Sequence, residues 1–322
     1  MKIGVFTALW ANDSFEVALD KAKAAGVAAV EIGVGGYPGS EHCPVAGLLA
    51  SAERRAAWLG EIHERGLTLS ALSVHNNPIH PDQEIADRSR QEIRDAVRLA
   101  QLLEVPVVNG FSGLPSGAAG DTRPNWVTCP WPPHFLEILD YQWNEVAIPY
   151  WSEATKFCAD HGIRFALEMH PGMLVYNVHT MLRLREAAGE HLGCNFDPSH
   201  LWWNGADPVA AIRRLDDAVF HVHGKDVMVD MMNVQFNGCN DIQRYDFIPQ
   251  RSWTFRAIGF GHDLKAWKDI ISTLRMIDYD YVISIEHEDA LMSSDEGLAK
   301  AIETLRSATI EEEAGEMFWL EG

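Results

Sequence analysis

The sequence predicts a single (β/α)8 barrel over residues 1–308, followed by an acidic C-terminal tail over 309–322. Three observations carry that prediction. Short β-branched or apolar runs alternate with amphipathic helical patterns eight times along the 322-residue chain. The runs are near-continuously apolar, as strands of a parallel sheet covered by helices must be, and eight such units favour a closed barrel over an open doubly wound sheet. The phosphate-cradling motifs of open sheets are missing: no GxGxxG follows the first strand and no GxxxxGK(S/T) occurs, so no nucleotide cofactor is expected.

The elements follow in order. Strand one is "KIGVFTA" (2–8). The helix "DSFEVALDKAKAAG" has Asp13 as its expected N-cap, Glu16 three residues on as in a capping box, and Gly26 as its stop. Strand two, "VAAVEIG" (27–33), precedes "SAERRAAWLGEIHERG", which ends on Gly66 in the same way. Strand three, "LTLSALSV" (67–74), precedes a helix over 83–103, and strand four, "VPVVNGF" (105–111), one over 148–161. Strands five, "IRFALEM" (163–169), and six, "LGCNFD" (192–197), precede helices over 178–188 and 207–215. Strands seven, "AVFHVHG" (218–224), and eight, "DYVISIE" (280–286), precede helices over 263–277 and 294–308.

Two long loops break the rhythm, 112–147 after strand four and 225–261 after strand seven. In a barrel both leave strand C-termini, so both are expected to project over the mouth where active sites are built. Their tryptophans argue for an ordered apolar cover, or for a contact between subunits of a homo-oligomer.

Composition narrows the partners. With 46 acidic and 26 basic residues the net charge is −20, and such a field repels nucleic-acid phosphates and anionic lipid. The start "MKIGVFTALW" runs straight into a strand without the apolar core of a signal peptide, and no apolar run approaches the roughly 18 residues of a membrane span. The five cysteines, at 43, 129, 158, 194 and 239, are scattered and never form CxxC. That pattern fits a reducing cytoplasm and argues against a disulfide framework or a structural zinc site.

The chemistry collects at the ends of strands five to eight. Strand five ends "ALEMH", with Glu168 and His170; strand six ends at Asp197, with His200 just beyond. Strand seven ends "HVHGKD", with His221 and His223 on one face, and strand eight ends "SIEHED", with Glu286 after an apolar run. Asp197 alone would read as a helix N-cap, and a lone strand histidine as a satisfied core group. Three carboxylates and an imidazole at successive strand tips are different, because carboxylates so crowded repel or hold protons unless a cation joins them. Oxygen-rich ligation with one imidazole suits Mn²⁺ or Mg²⁺ better than a structural zinc.

The set "ALEMHP", "NFDPSH", "HVHGKD" and "SIEHED", in that order on an eight-fold pattern, resembles the xylose isomerase-like barrels. These include the sugar phosphate isomerases and epimerases and the ketose 3-epimerases. The resemblance spans almost the whole chain and implies one divalent metal, Mn²⁺ with Mg²⁺ or Co²⁺ as alternatives, held by Glu168, Asp197, His223 and Glu286. It implies that Glu168 and Glu286 exchange protons with a carbohydrate substrate through an enediolate, and that His200 contacts the sugar. One departure stands out: the epimerases carry a substrate-binding arginine six residues after the strand-seven histidine, where this chain has Val229. The basic groups at hand are Lys225, Arg251 and Arg256. A zinc endonuclease family shares the fold, but Asn109 stands where its strand-four histidine would be, and "DVMVDMM" offers no Asp-x-His pair.

The remaining candidates for the substrate pocket are His170, Lys225, Asp226, His75, Asn109, Arg251, Arg256 and Trp10, with Glu31 near the end of strand two. His170, Lys225 and Asp226 adjoin ligands and are expected to support them or to hold substrate hydroxyls. His221 is expected one layer below His223. The same enediolate chemistry serves an isomerase, an epimerase, or a lyase expelling a group β to the carbonyl of a 3-keto-glycoside, with or without a partner subunit. A non-catalytic sugar-binding protein of the same fold is the reading from another class.

Overall fold

The computed structural model describes residues 1–313 and 315–320. Its strands in chain order are β1 (Lys2–Phe6), β2 (Ala29–Gly36), β3 (Thr68–His75), β4 (Val107–Gly110), β5 (Arg164–Glu168), β6 (Leu192–Phe196) and β7 (Val219–Gly224). Next come β8 (Asp226–Val229), β9 (Trp253–Arg256) and β10 (Val282–Ile285). Eight of these close a parallel barrel in the order β1-β10-β7-β6-β5-β4-β3-β2, while β8 and β9 pair separately as an antiparallel hairpin. The apolar strand runs make this possible. Val5, Val30, Leu72, Val108, Leu167, Phe196, Val222 and Ile283 are buried between sheet and helices, where each side chain contributes about 1.5–3 kcal/mol.

The inner face is unusually polar. Glu31, Ser73, Asn109, Asn195, His221, His223 and Ser284 are all buried there. A (β/α)8 interior is normally filled by branched aliphatics, so this polar stack sets the barrel apart from an ordinary packed core.

Local signals explain the helix ends. The first helix, Phe15–Ala25, is capped by Ser14 and not by Asp13: the Ser14 hydroxyl accepts from the Val17 amide at 3.4 Å. Glu16 takes no part in a capping box; it accepts from Ser14 Oγ, and Asp13 pairs with Lys21 at 2.6 Å. The stop is as expected, with Gly26 at φ +74°, a left-handed conformation that glycine adopts without strain.

The two long loops take different forms. In the first, a helix His134–Asp140 continues through a π-helix, Tyr141–Ala147, into the helix Ile148–Asp160, so the helical segment starts well before the expected residue 148. Trp143 and Trp151 bury against the barrel and stabilise this early start. The second forms the β8–β9 hairpin with a short helix, Met231–Asn237, between the strands. The last long helix ends at Ala308, and Phe318–Leu320 form a 3-10 turn in the tail. Within the acidic tail, Ala314, Glu321 and Gly322 lie outside the described residues. No helix among the described residues is long and apolar enough to cross a membrane.

Candidate metal centre

Closure of the barrel makes β5, β6, β7 and β10 consecutive neighbours, so their C-terminal tips meet. Glu168 is the last residue of β5, and His223 lies near the end of β7. Asp197 directly follows β6 and caps the helix Pro198–Trp203, accepting from the Ser199 amide at 2.8 Å. Glu286 directly follows β10, its amide donating to Gly224 O at 3.1 Å. One ligand atom from each of the four lies within 4.8 Å of the others.

This cluster is buried and incompletely paired. Glu168, Asp197 and His223 are at most 2 % exposed. Asp197 Oδ2, His223 Nδ1 and Glu286 Oε2 lack an aligned hydrogen bond; their close neighbours are ion-pair contacts, Asp197 Oδ2 to His200 at 3.2 Å and Glu286 Oε2 to His223 Nδ1 at 3.0 Å and to Lys225 at 3.3 Å. Buried charges so poorly aligned are only partly compensated, and a cation shared by the four residues would meet all three atoms at once. A divalent cation fits that donor set of carboxylate oxygens and one imidazole nitrogen.

The protonation states follow from the surroundings. Burial pushes the Glu168 carboxyl up, but hydrogen bonds from His200, His223 and His75 outweigh it and hold the group well below its ordinary range. His75 Nε2 and His200 Nε2 each approach a different oxygen of Glu168, both at 3.1 Å. Glu286 is pushed up by burial and drawn down more strongly by Lys225 and His223, to about 2. Burial raises Asp197, and the attraction of His200 and Lys225 only partly offsets it. Lys225 loses by burial and gains from Glu286 and Glu288, ending well above its ordinary value. Its Nζ lies 3.3 Å from Glu286 and 3.1 Å from Glu288.

Beside the cluster opens a cavity of about 480 Å³ lined by His75, Glu168, His170, Lys225 and Glu286 among the expected residues. Phe6, Tyr37, Phe111, Met173 and Glu288 complete most of its wall and were not singled out from sequence. Tyr37 sits in a glycine-flanked turn, and Glu288 lies two residues beyond a ligand; neither carries a local signal of its own. His170 packs edge-on against His200 at 4.2 Å, and burial with the nearby His200 pushes its imidazole down to about 3. His200 itself sits behind the wall, 3.2 Å from Asp197 Oδ2 and edge-on to Phe255 at 5.6 Å.

Five expected pocket residues are placed elsewhere. Asp226 turns away from the cavity and accepts from the amides of Gly259, Gly261 and His262 at 2.9–3.1 Å, pinning the strand-seven loop to the barrel. Arg251 is buried between the Tyr245 and Trp253 rings, 4.3 and 4.5 Å from their centroids, and donates to Gln243 O and Trp253 O. Arg256 is tied to Asp289 at 3.0 Å. Trp10 ends the 3-10 turn Thr7–Trp10, which rotates it into a groove against the last helix, Ser294–Ala308. Asn109 lies deeper in the barrel, donating to Glu31 at 2.9 Å. Glu31 does not line the cavity either; it occupies the buried layer beneath His223. His221 also lies in that layer, as its position two residues before His223 predicts.

The model of the xylose isomerase-like TIM barrel family matches residues 19–308. The chain belongs to that family. This xylose isomerase-like chain is 38 % identical over 310 residues to the uncharacterized protein YfiH of Bacillus subtilis (strain 168), covering 95 % of this chain and 98 % of that one. Among solved structures, the probable 3-DHS dehydratase AsbF of Bacillus anthracis aligns with a TM-score of 0.64 at 18 % identity, over 95 % of this chain and 99 % of its own. A D-tagatose 3-epimerase-like protein aligns with a TM-score of 0.62 at 21 % identity, over 95 % and 98 %. At these identities the two structures speak for the fold of a xylose isomerase-like barrel and not for a shared substrate.

Proposed function

We propose that this protein is a divalent-metal-dependent carbohydrate isomerase or epimerase acting on a keto-sugar, with Glu168, Asp197, His223 and Glu286 holding one ion, Mn²⁺ by its donor set. The observation that supports this reading is the convergence beside a cavity of four ligand-bearing residues, three of whose buried donor atoms lack an aligned hydrogen bond. Bound there, the ion supplies Lewis acidity to a carbonyl and its neighbouring hydroxyl, acidifying the carbon between them.

The chain's own groups handle the protons. Glu168 and Glu286 both line the cavity and both stay ionised at neutral pH, so either can accept a proton from the carbon acid. Return of a proton by the other glutamate on the opposite face inverts the centre, and return to the neighbouring carbon interconverts aldose and ketose. His75 and His200 hold Glu168 by one oxygen each and so limit its rotation. Lys225 keeps Glu286 anionic between turnovers.

A second reading is supported by Lys225 and the cavity size. A buried ammonium in the wall can hydrogen-bond an oxygen leaving from the position β to the carbonyl. A volume of about 480 Å³ lies within the roughly 300–1,000 Å³ of sites for drug-sized ligands, which admits a 3-keto-glycoside as well as a free sugar. That substrate would make the protein a lyase by the same first step, in line with the dehydratase named among the structural neighbours.

Solvent exchange tests the shared step. In D₂O with Mn²⁺, a panel of keto-sugars and 3-keto-glycosides should yield either an isomer or stereoisomer carrying deuterium at the carbon next to the carbonyl, or a released aglycone with an unsaturated keto-sugar that has lost its hydrogen at that carbon. The former supports the first reading and the latter the second. An isomer formed without deuterium there, or an aglycone released with that hydrogen retained, rules out the enediolate.

A further inference from the structure

The two ring nitrogens of His223 face different surroundings. Nδ1 looks toward the centre, 3.0 Å from Glu286 Oε2 and 3.3 Å from Glu168 Oε2. Nε2 looks down into the barrel, 3.0 and 3.2 Å from the two oxygens of Glu31. Glu31 is a lone carboxylate in the middle of β2, fully buried, on the far side of the barrel from β7 in strand order. Its own position is fixed, because the Ser73 hydroxyl and the Asn109 amide both donate to Oε1.

A carboxylate surrounded by donors accepts only, so the proton shared with His223 belongs to Nε2. At Nε2 one neighbour competes: Asn195 Nδ2 lies 3.1 Å away and would donate to that nitrogen if it were bare. The bond to a carboxylate is roughly twice as strong as one between neutral groups, so Glu31 keeps the proton on Nε2, while at Nδ1 a cation shared with Glu286 and Glu168 would take the place of a proton. Asn195 has other work, its Oδ1 lying 3.0 Å from His221 Nδ1. Phe6 stacks on the His223 ring at 5.9 Å and restrains its plane.

We propose that Glu31 is a positioning residue that accepts the His223 Nε2–H and fixes the ring, so that Nδ1 points at the four-residue centre. The inference rests on the reading that His223 is a metal ligand. It assigns to the strand-two carboxylate the role that outer partners of metal-binding histidines play generally, orienting the ring and raising its basicity.

The first measurement needs no variant. Long-range ¹H–¹⁵N spectra of metal-free wild-type protein should show a proton on His223 Nε2, whether or not Nδ1 carries a second one; a bare Nε2 overturns the proposal. The second uses Glu31→Leu, which removes the acceptor and leaves Nε2 facing the Asn195 amide. Calorimetric titration with Mn²⁺ should then show binding weakened by roughly 10–100-fold, with thermal unfolding still cooperative. Wild-type Mn²⁺ affinity in that variant also overturns it.

Stoichiometry closes the remaining gap. Glu31, His221 and His223 themselves bring ligand atoms within 4.8 Å of one another. Two Mn²⁺ equivalents bound by wild type, one of them lost in Glu31→Leu, would make Glu31 a ligand and refute the positioning role. Failure of the metal reading has a separate signature: wild type and Asp197→Ala would then both take up no Mn²⁺, and the presence or absence of the His223 Nε2 proton alone decides for or against Glu31.

Discussion

The segment after β4 and the segment after β7 leave the barrel at the same end, are both rich in aromatic residues, and each gives its first residue, Phe111 and Lys225, to the cavity wall, yet beyond those residues they part. The first turns outward. Trp126 packs edge-on to Tyr176 at 5.6 Å, Arg183 lies 4.2 Å from the Trp143 ring, and Gln142 Nε2 donates to Asn125 O at 2.6 Å. No residue of 112–147 lines the 480 Å³ cavity. The second folds back. Its first residue, Lys225, sits in the wall beside Glu286, and Phe255 on β9 lies under the Lys225 ammonium at 4.5 Å and against His200. The difference lies in what each segment can anchor to. The first is held by a continuous helix that carries its tryptophans to the outer layer, whereas a hairpin pinned by Asp226 has its side chains delivered to the mouth.

The comparison places the chemistry on the β5–β7–β10 side, and the largest effect should appear there. Glutamine keeps the shape and one donor oxygen of glutamate but cannot take a proton. Glu168→Gln and Glu286→Gln are therefore expected to lower kcat by about 10²-fold or more while retaining part of the metal. Steady-state rates beside metal analysis check this; near wild-type kcat with metal retained would remove the two glutamates from the proton path.

Lys225→Met comes next and tests the second segment itself. Burial pushes Glu286 up, and Lys225 is the strongest influence holding it down at about 2. Without the cation, the folded-state value rises toward the ordinary carboxylate range or beyond. The ionised form is then lost at higher pH as pH falls, so the acid limb of the kcat/KM profile should move to higher pH. A rate loss of roughly 10-fold at neutral pH is expected, within the range for groups that assist proton transfer. An acid limb that stays in place would show that Lys225 does not set the state of Glu286.

Much of the centre is legible in the sequence because a (β/α)8 chain announces its strand tips. An apolar run that ends in Glu168, Asp197 or Glu286 breaks the burial rule at one defined point, and parallel closure brings such points together. Orientation is what sequence adjacency cannot supply. Asp226 is three residues from His223, but the chain has already left the barrel strand there and its carboxylate meets the amides of 259–262. Arg251 and Arg256 looked like substitutes for the arginine missing at Val229; one is stacked between Tyr245 and Trp253, the other tied to Asp289. Trp10 is turned away by a 3-10 turn that no residue of "TALW" signals. Glu31 was visible as an anomaly, a lone carboxylate in an apolar strand, but its partner His223 is 192 positions away and only closure joins them.

The smallest effect is the sharpest test of the first segment. Trp131 is 73 % exposed, more than any other tryptophan among the described residues, and it belongs to the 112–147 segment. If that segment closed over substrate, removing the indole would strip apolar cover from the bound state and raise KM with little change in the free protein. The structure puts the anchoring rings of the segment, Trp126 and Trp143, against the outer helices, and leaves Trp131 outside both that layer and the cavity. Trp131→Ala should therefore change stability by no more than about 0.5 kcal/mol, as for surface positions without special contacts. The values of kcat and KM should stay at the wild-type level, measured on the keto-sugar that gives deuterium incorporation. A several-fold rise in KM at constant kcat and unchanged unfolding temperature would show that the first segment reaches the substrate after all, and the contrast between the two segments would fail at that point.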